Sequence, residues 1–96
     1  GADPRINWCT GDTEDGFDIE LRFGVDRDGA VVKRYHMNPV TVGTRKKAAK
    51  VKDPVRNEIR MIALCCGVPD TEVESLNIWD YQRLLECMQD FLQLET

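Results

Sequence analysis

Ninety-six residues, 42% hydrophobic and 31% charged, describe one folded soluble domain and exclude wholesale disorder. The longest apolar run, Met61 to Cys66, is far short of the roughly 20 residues that span a bilayer. A formal net charge of −4 argues against a polyanion binder, and no basic region followed by an apolar stretch announces a secretory signal. The chain opens on Gly1 where an initiator Met would stand, which suggests a cloning scar or a trimmed product.

Residues 1–15, with Pro4, Gly11 and the polar run "TGDTED", offer little to bury and read as a flexible N-terminal arm. Trp8 is its exception, since a large aromatic usually packs somewhere. A single α+β domain is expected over 16–94. "FDIELRFGV" alternates, with Phe17, Ile19, Leu21, Phe23 and Val25 on one side and Asp18, Glu20 and Arg22 on the other. Period two indicates a strand with one buried face. "DRDG" supplies a turn and "AVVKRYHM" a second strand, so an antiparallel β-hairpin is expected over 17–37. Asn38-Pro39 ends it.

Helices follow. "TVGTRKKAAKV" predicts a short one over about 44–51, capped by Thr41 or Thr44. "DPVRNEIRMIALCCG" predicts a stronger one over 54–66, with Asp53 as cap, Pro54 in the first turn and Gly67 as stop. Its stripe is Val55, Ile59, Ile62, Ala63 and Cys66, widened by Met61, Leu64 and Cys65. Asp70 is expected to cap a brief helix over 70–75. Asn77 should cap the last helix, over 78–93, with Asp80 returning a bond toward that cap. Ile78, Tyr81, Leu84, Leu85, Met88, Phe91 and Leu92 form its stripe. The expected fold is a hairpin packed on a small bundle of three to four helices.

Charge is uneven along the chain. Arg45, Lys46, Lys47, Lys50, Lys52, Arg56 and Arg60 face only Asp53 and Glu58, whereas from Asp70 onward Arg83 alone opposes the acids. Basic middle and acidic end can pair across the fold or present opposite faces to partners, and pairing is the simpler expectation. The cysteines, Cys9, Cys65, Cys66 and Cys87, match no zinc spacing. They read as reduced thiols of a cytosolic protein, although the even count also allows a disulfide scaffold. Cys9 is the one expected to oxidise in vitro.

No catalytic, cofactor or metal constellation emerges. His36 stands alone on a strand without a nucleophile pattern. Glu72 and Glu74 are acids on a solvated helix. Asp26 and Asp28 lack the remaining ligands of a calcium loop, and "TVGTRKK" lacks P-loop spacing. Nucleic-acid binding through the basic 45–60 segment is the competing reading, weakened by the acidic total and by the absence of aromatics within that segment. Protein binding fits better, because the last helix carries Trp79, Tyr81, Met88 and Phe91, residue types that dominate interfaces. A self-association seam explains the same pattern equally well.

Punctuation across residues 17–94 resembles the tail assembly chaperones of long-tailed phages and prophages, particularly the small Mu-like tail assembly proteins. Thr41 and Gly43 match the helix start, with Thr44 in place of the usual acid. Ala63, Gly67, Val68 and Pro69 match the helix stop. Leu76, Asp80 and Tyr81 match the step into the last helix, and Phe91 and Leu92 its end. The resemblance implies a non-enzymatic cytoplasmic helper in a bacterial host. Such a helper binds the tape measure protein, keeps it soluble and promotes assembly of tail-tube protein around it. A structural virion component is a further alternative. For the chaperone reading, Trp79, Leu84, Met88 and Phe91 are the expected client-binding residues, with Arg45, Lys46, Lys47 and Lys50 as electrostatic contacts. Neither membrane nor cofactor is implied.

Overall fold

The computed structural model describes residues 4–93. A 3-10 turn, Pro4–Asn7, leads into β1 (Cys9–Asp12), β2 (Gly16–Arg27) and β3 (Ala30–Met37). Helices α1 (Val42–Ala48), α2 (Pro54–Cys66), α3 (Asp70–Glu74) and α4 (Ile78–Leu92) follow. The strands form one antiparallel sheet in the order β1-β2-β3, and the helices cover one of its faces. The body is a slab of 42 × 39 × 19 Å, two layers of secondary structure thick.

The predicted hairpin is present as β2 and β3. Phe17, Ile19, Leu21 and Val25 point into the core with Tyr35 and Met37 of β3, while Asp18, Glu20 and Arg22 face out. Phe23 departs from the expected alternation and is half exposed. The reason is a bulge. Glu20 pairs with Arg34 and Val25 with Val32, so residues 21–24 of β2 stand opposite Lys33 alone. Gly24, at φ 80, permits that backbone path, and a Cβ there would lie 2.8 Å from the Val32 carbonyl.

The arm expected over 1–15 is the main correction; residues 1–3 lie outside the described residues. Cys9–Asp12 pair with β2 in the register Cys9↔Ile19 to Asp12↔Gly16, turning a hairpin into three strands. "CTGD" carries no alternation of its own, so this strand is held by backbone pairing and by anchors beside it. The Trp8 carbonyl accepts from Glu20 N at 2.8 Å, and the Arg83 guanidinium lies 4.9 Å over the Trp8 ring. Arg5 reaches Asp90 of α4 at 2.8 Å.

Local chemistry sets most helix ends. Thr41 and Thr44 form a reciprocal capping box, so α1 starts at Val42, two residues before the expected position. Asp53 accepts from Arg56 N at 2.9 Å with Pro54 behind it, and Gly67 closes α2 at φ 68. Asn77 accepts from Trp79 N at 2.9 Å and starts α4. Asp70 does not cap α3, whose N-cap is Pro69; its carboxylate takes the Arg60 guanidinium at 2.7 Å. Neither stripe is the expected one throughout: Met61 and Cys65 are enclosed in α2 but Leu64 meets water, and α4 also buries Asp80 and Cys87. Val55 is exposed in α2, and Ile78 and Leu92 are exposed in α4.

One polar cluster ties α3 to the hairpin and gives a pH signature. Glu72 accepts from Arg27 Nε and Nη2 at 2.9 and 2.8 Å and from the Tyr35 hydroxyl. The Arg27 guanidinium holds the Glu72 carboxyl below the usual range, against the opposing effect of burial. Burial, then the Glu72 hydrogen bond, pushes the Tyr35 phenol up, and burial pushes the Cys65 and Cys66 thiols up to about 11 and 12. A depressed carboxyl contributes stability above its ordinary value, and this is lost as pH falls. Raised phenols and thiols contribute stability below their ordinary values, and this is lost as pH rises. Urea midpoints are therefore expected to be flat between about pH 6 and 8, falling below about pH 4.5 and above about pH 8.5. Glu72→Gln should lower the plateau and flatten the acid limb; an unchanged acid limb would contradict the assignment.

Candidate functional site

The start of α4 positions the site. Asp80 is fully buried, and its carboxylate fills the gap left by the β2 bulge. Oδ1 accepts from Arg22 N at 2.6 Å, and Oδ2 accepts from Phe23 N and Gly24 N at 3.1 Å each. These amides lie in the irregular stretch where β2 leaves its register with β3. A single carboxylate therefore satisfies three donors that would otherwise be stranded. Asp80 was expected to fold back on its own helix cap; it clasps the sheet instead. Beside it the Tyr81 hydroxyl donates to Glu58 Oε1 of α2 at 2.5 Å, fixing the helix on its other side.

This clasp dictates what α4 exposes. Its buried stripe is Asp80, Leu84, Cys87, Met88 and Phe91, which continues into the sheet through a Phe17–Phe91 ring contact with centroids 5.1 Å apart. With that stripe inward, Trp79, Gln82, Arg83 and Glu86 fall on another face at i, i+3, i+4 and i+7. Trp79 is 66% exposed and Ile78 61%. Together with Arg5, Trp8 and Arg22 these side chains line an open groove of about 580 Å³.

The groove joins aromatic and apolar side chains to guanidinium groups. Arg83 covers Trp8 and donates from Nη1 to the Glu20 carbonyl at 2.7 Å. Arg22 lies 5.5 Å over the Phe23 ring. Arg5 donates to the Glu86 carbonyl at 3.3 Å in addition to its pair with Asp90. The arginines are thus held against the groove by partners that leave its centre open. Such a surface can grip an apolar side chain and pair with acidic groups next to it.

Of the expected client-binding residues, only Trp79 lies on this surface. Leu84, Met88 and Phe91 are 0, 4 and 8% exposed and belong to the core. The physical reason is the orientation of α4, which turns the stripe that carries these three residues toward β2 and α2. Sequence reasoning missed Ile78, Trp8, Arg22 and Arg83. The signal available for Arg83 was the second stripe, since it shares a face with Trp79 one turn away.

The basic residues behave otherwise than expected. Arg45, Lys46, Lys47 and Lys50 are exposed on α1 and just beyond it, and none makes an ion pair among the described residues. Among the described residues, only Arg60, through Asp70, joins the basic middle to the acidic end by an ion pair. Pairing across the fold therefore does not absorb this charge. Val42, 85% exposed, stands beside it, and a shallow hollow of about 620 Å³ runs from Val42, Arg45 and Lys46 to Asn57 and Met61 of α2.

The other candidates are structural. His36 pairs with Asp18 across the strands at 2.9 Å on the outer face of the sheet, and Glu72 belongs to the hairpin clasp. Among the described residues no group of three or more His, Cys, Asp or Glu could hold a metal ion, and no helix is long and apolar enough to cross a membrane.

Residues 18–93 match the family model described as phage tail assembly chaperone proteins, E, or 41 or 14. The chain belongs to that family. Comparison with curated proteins gives no match, and comparison with solved structures gives none. Tail assembly chaperones are not enzymes, and this chain is a non-enzymatic member. In this chaperone the motif residues resolve into contacts. Leu76 packs against the core, Asp80 clasps the bulge, Tyr81 binds Glu58, and Gly67 reverses the chain after α2. The groove lies directly beside the Leu76–Tyr81 step.

Proposed function

We propose that this tail assembly chaperone holds the tape measure protein through the groove beside the first two turns of α4, keeps it soluble, and promotes assembly of tail-tube protein on it in the cytoplasm of a bacterial host. One observation carries the reading. Trp79 and Ile78, two large apolar side chains adjacent in sequence, are mostly exposed at the mouth of a preformed groove. Exposed aromatic side chains in a concavity ringed by arginines are the anchors that protein interfaces favour. An amphipathic helix of the client would place an apolar residue between Trp8 and Trp79 and acidic residues near Arg22 and Arg83. The exposed cations Arg45, Lys46, Lys47 and Lys50, unpaired among the described residues, would add long-range attraction to acidic stretches of the client.

Co-expression with the tape measure gene of the same phage tests this. Ile78→Ala with Trp79→Ala is expected to lower the soluble fraction of the client at least severalfold while leaving the chaperone folded. Replacing Arg45, Lys46, Lys47 and Lys50 by Glu should slow association and weaken its dependence on salt. Client solubility unaffected by the Ile78 and Trp79 changes would overturn the groove assignment. Detection of the chain in finished particles would favour a structural virion component instead.

A further inference from the structure

Two thiols from distant parts of the chain meet where β1 crosses α4. The Sγ atoms of Cys9 and Cys87 are 3.2 Å apart although 78 positions separate the residues. Cys87 lies fully buried on the inner stripe of α4, whereas Cys9 is half-buried at the start of β1. No other pair of cysteine sulfurs comes into contact among the described residues, and neighbours such as Cys65 and Cys66 are geometrically poor partners for each other. Cys9 directly follows Trp8, which forms one wall of the groove.

We propose that Cys9 and Cys87 are a disulfide-forming pair, closed by peroxide-class oxidants, which fastens the N-terminal strand to the last helix and fixes the Trp8 wall of the groove. The sulfurs need to approach to about 2.05 Å. A four-residue strand at the sheet edge can supply that movement without disturbing the core. The chemistry balances in two steps. The Cys9 sulfur attacks one oxygen of hydrogen peroxide and the O–O bond breaks, giving a sulfenic acid at Cys9 and one water. The Cys87 sulfur then displaces hydroxide from Cys9, forming the S–S bond, and the thiol proton leaves with the hydroxide as a second water. Two electrons pass from the thiols to the peroxide. Under reducing conditions both remain thiols and the strand is held by its hydrogen bonds, by the packing of Trp8 and Cys9 on the core and by the Arg5 and Arg83 contacts, with no covalent tie. The consequence for client holding rests on the groove reading above; formation of the bond does not.

The full chain treated with modest hydrogen peroxide is expected to lose about 2 Da, with a peptide map joining the segments that carry Cys9 and Cys87. Cys9→Ser should abolish that loss, and Cys66→Ser should leave it intact. The midpoint of thermal unfolding should rise by on the order of 10 °C and return on reduction, because the bond closes a long loop of the unfolded chain. In a Trp79→Phe background Trp8 is the sole tryptophan, and its quenching by acrylamide should fall at least twofold in the oxidised form. Oxygen addition without mass loss, a bridge through Cys65 or Cys66, or linkage between two copies would overturn the pairing. A correct bond with unchanged Trp8 quenching would overturn the latch. No readout uses the client, so failure here is distinguishable from failure of the groove assignment.

Discussion

Replacing Asp80 by Ala is expected to destabilise the chain by about 3–5 kcal/mol, a large fraction of the stability usual for a domain of this size. The loss follows from what the carboxylate does. It is fully buried and accepts hydrogen bonds from the Arg22, Phe23 and Gly24 amides, none of which Ala could satisfy. A hydrogen bond to a charged group contributes roughly 1.5–3 kcal/mol, but three bonds to one carboxylate do not simply add. Asp80→Asn should lose less, because its carbonyl oxygen can still accept while its NH2 group turns a donor toward other donors. Urea unfolding measures both changes. Amide chemical shifts of residues 22–24 should move in Asp80→Asn while those of α2 hold still. A cost below about 1 kcal/mol for Asp80→Ala would mean that the bulge amides find other partners, and the clasp would not be what orients α4.

The second large effect separates core from surface on a single helix. Leu84→Ala and Phe91→Ala are each expected to cost about 2–5 kcal/mol, because both side chains are enclosed and their removal leaves cavities against the sheet. Trp79→Ala should change stability by no more than about 0.5 kcal/mol, since most of its surface already meets water. Client holding should follow the opposite order. Measured per folded molecule, Leu84→Ala should hold the tape measure protein as the parent does, while Trp79→Ala loses it. A Leu84→Ala protein that is fully stable yet unable to hold the client would return that residue to the interface. A Trp79→Ala protein that unfolds easily would make the tryptophan a core residue.

Much of this was legible from the residues, but unevenly. The caps at Asp53 and Asn77 and the stop at Gly67 could be read, with Thr41 as one of two candidates for α1, because each acts within a few positions of itself. The α2 core was readable because a stripe of Ile and Ala at helical spacing has few other uses. The candidate site was less so. By residue type Trp79 was grouped with Leu84, Met88 and Phe91, yet it lies exposed on a different face of α4 while they are buried. Ile78, which the hydrophobic stripe put inside, is outside. Asp80, expected to bond back toward its own helix cap, is buried against the sheet.

Local chemistry thus determined the kinds of element, their order and most of their ends, because propensity, capping and periodicity are settled among near neighbours in the chain. Three matters belonged to the tertiary structure alone: the pairing of β1, the bulge in β2, and the rotation of α4 about its axis. Each depends on contacts between distant residues. The three amides that Asp80 satisfies lie 56–58 positions away, and Trp8 is held by an arginine near the other end of the chain. Burying a carboxylate is unfavourable until those donors converge on it. Once they do, the helix has one orientation, and that orientation leaves Trp79 facing water.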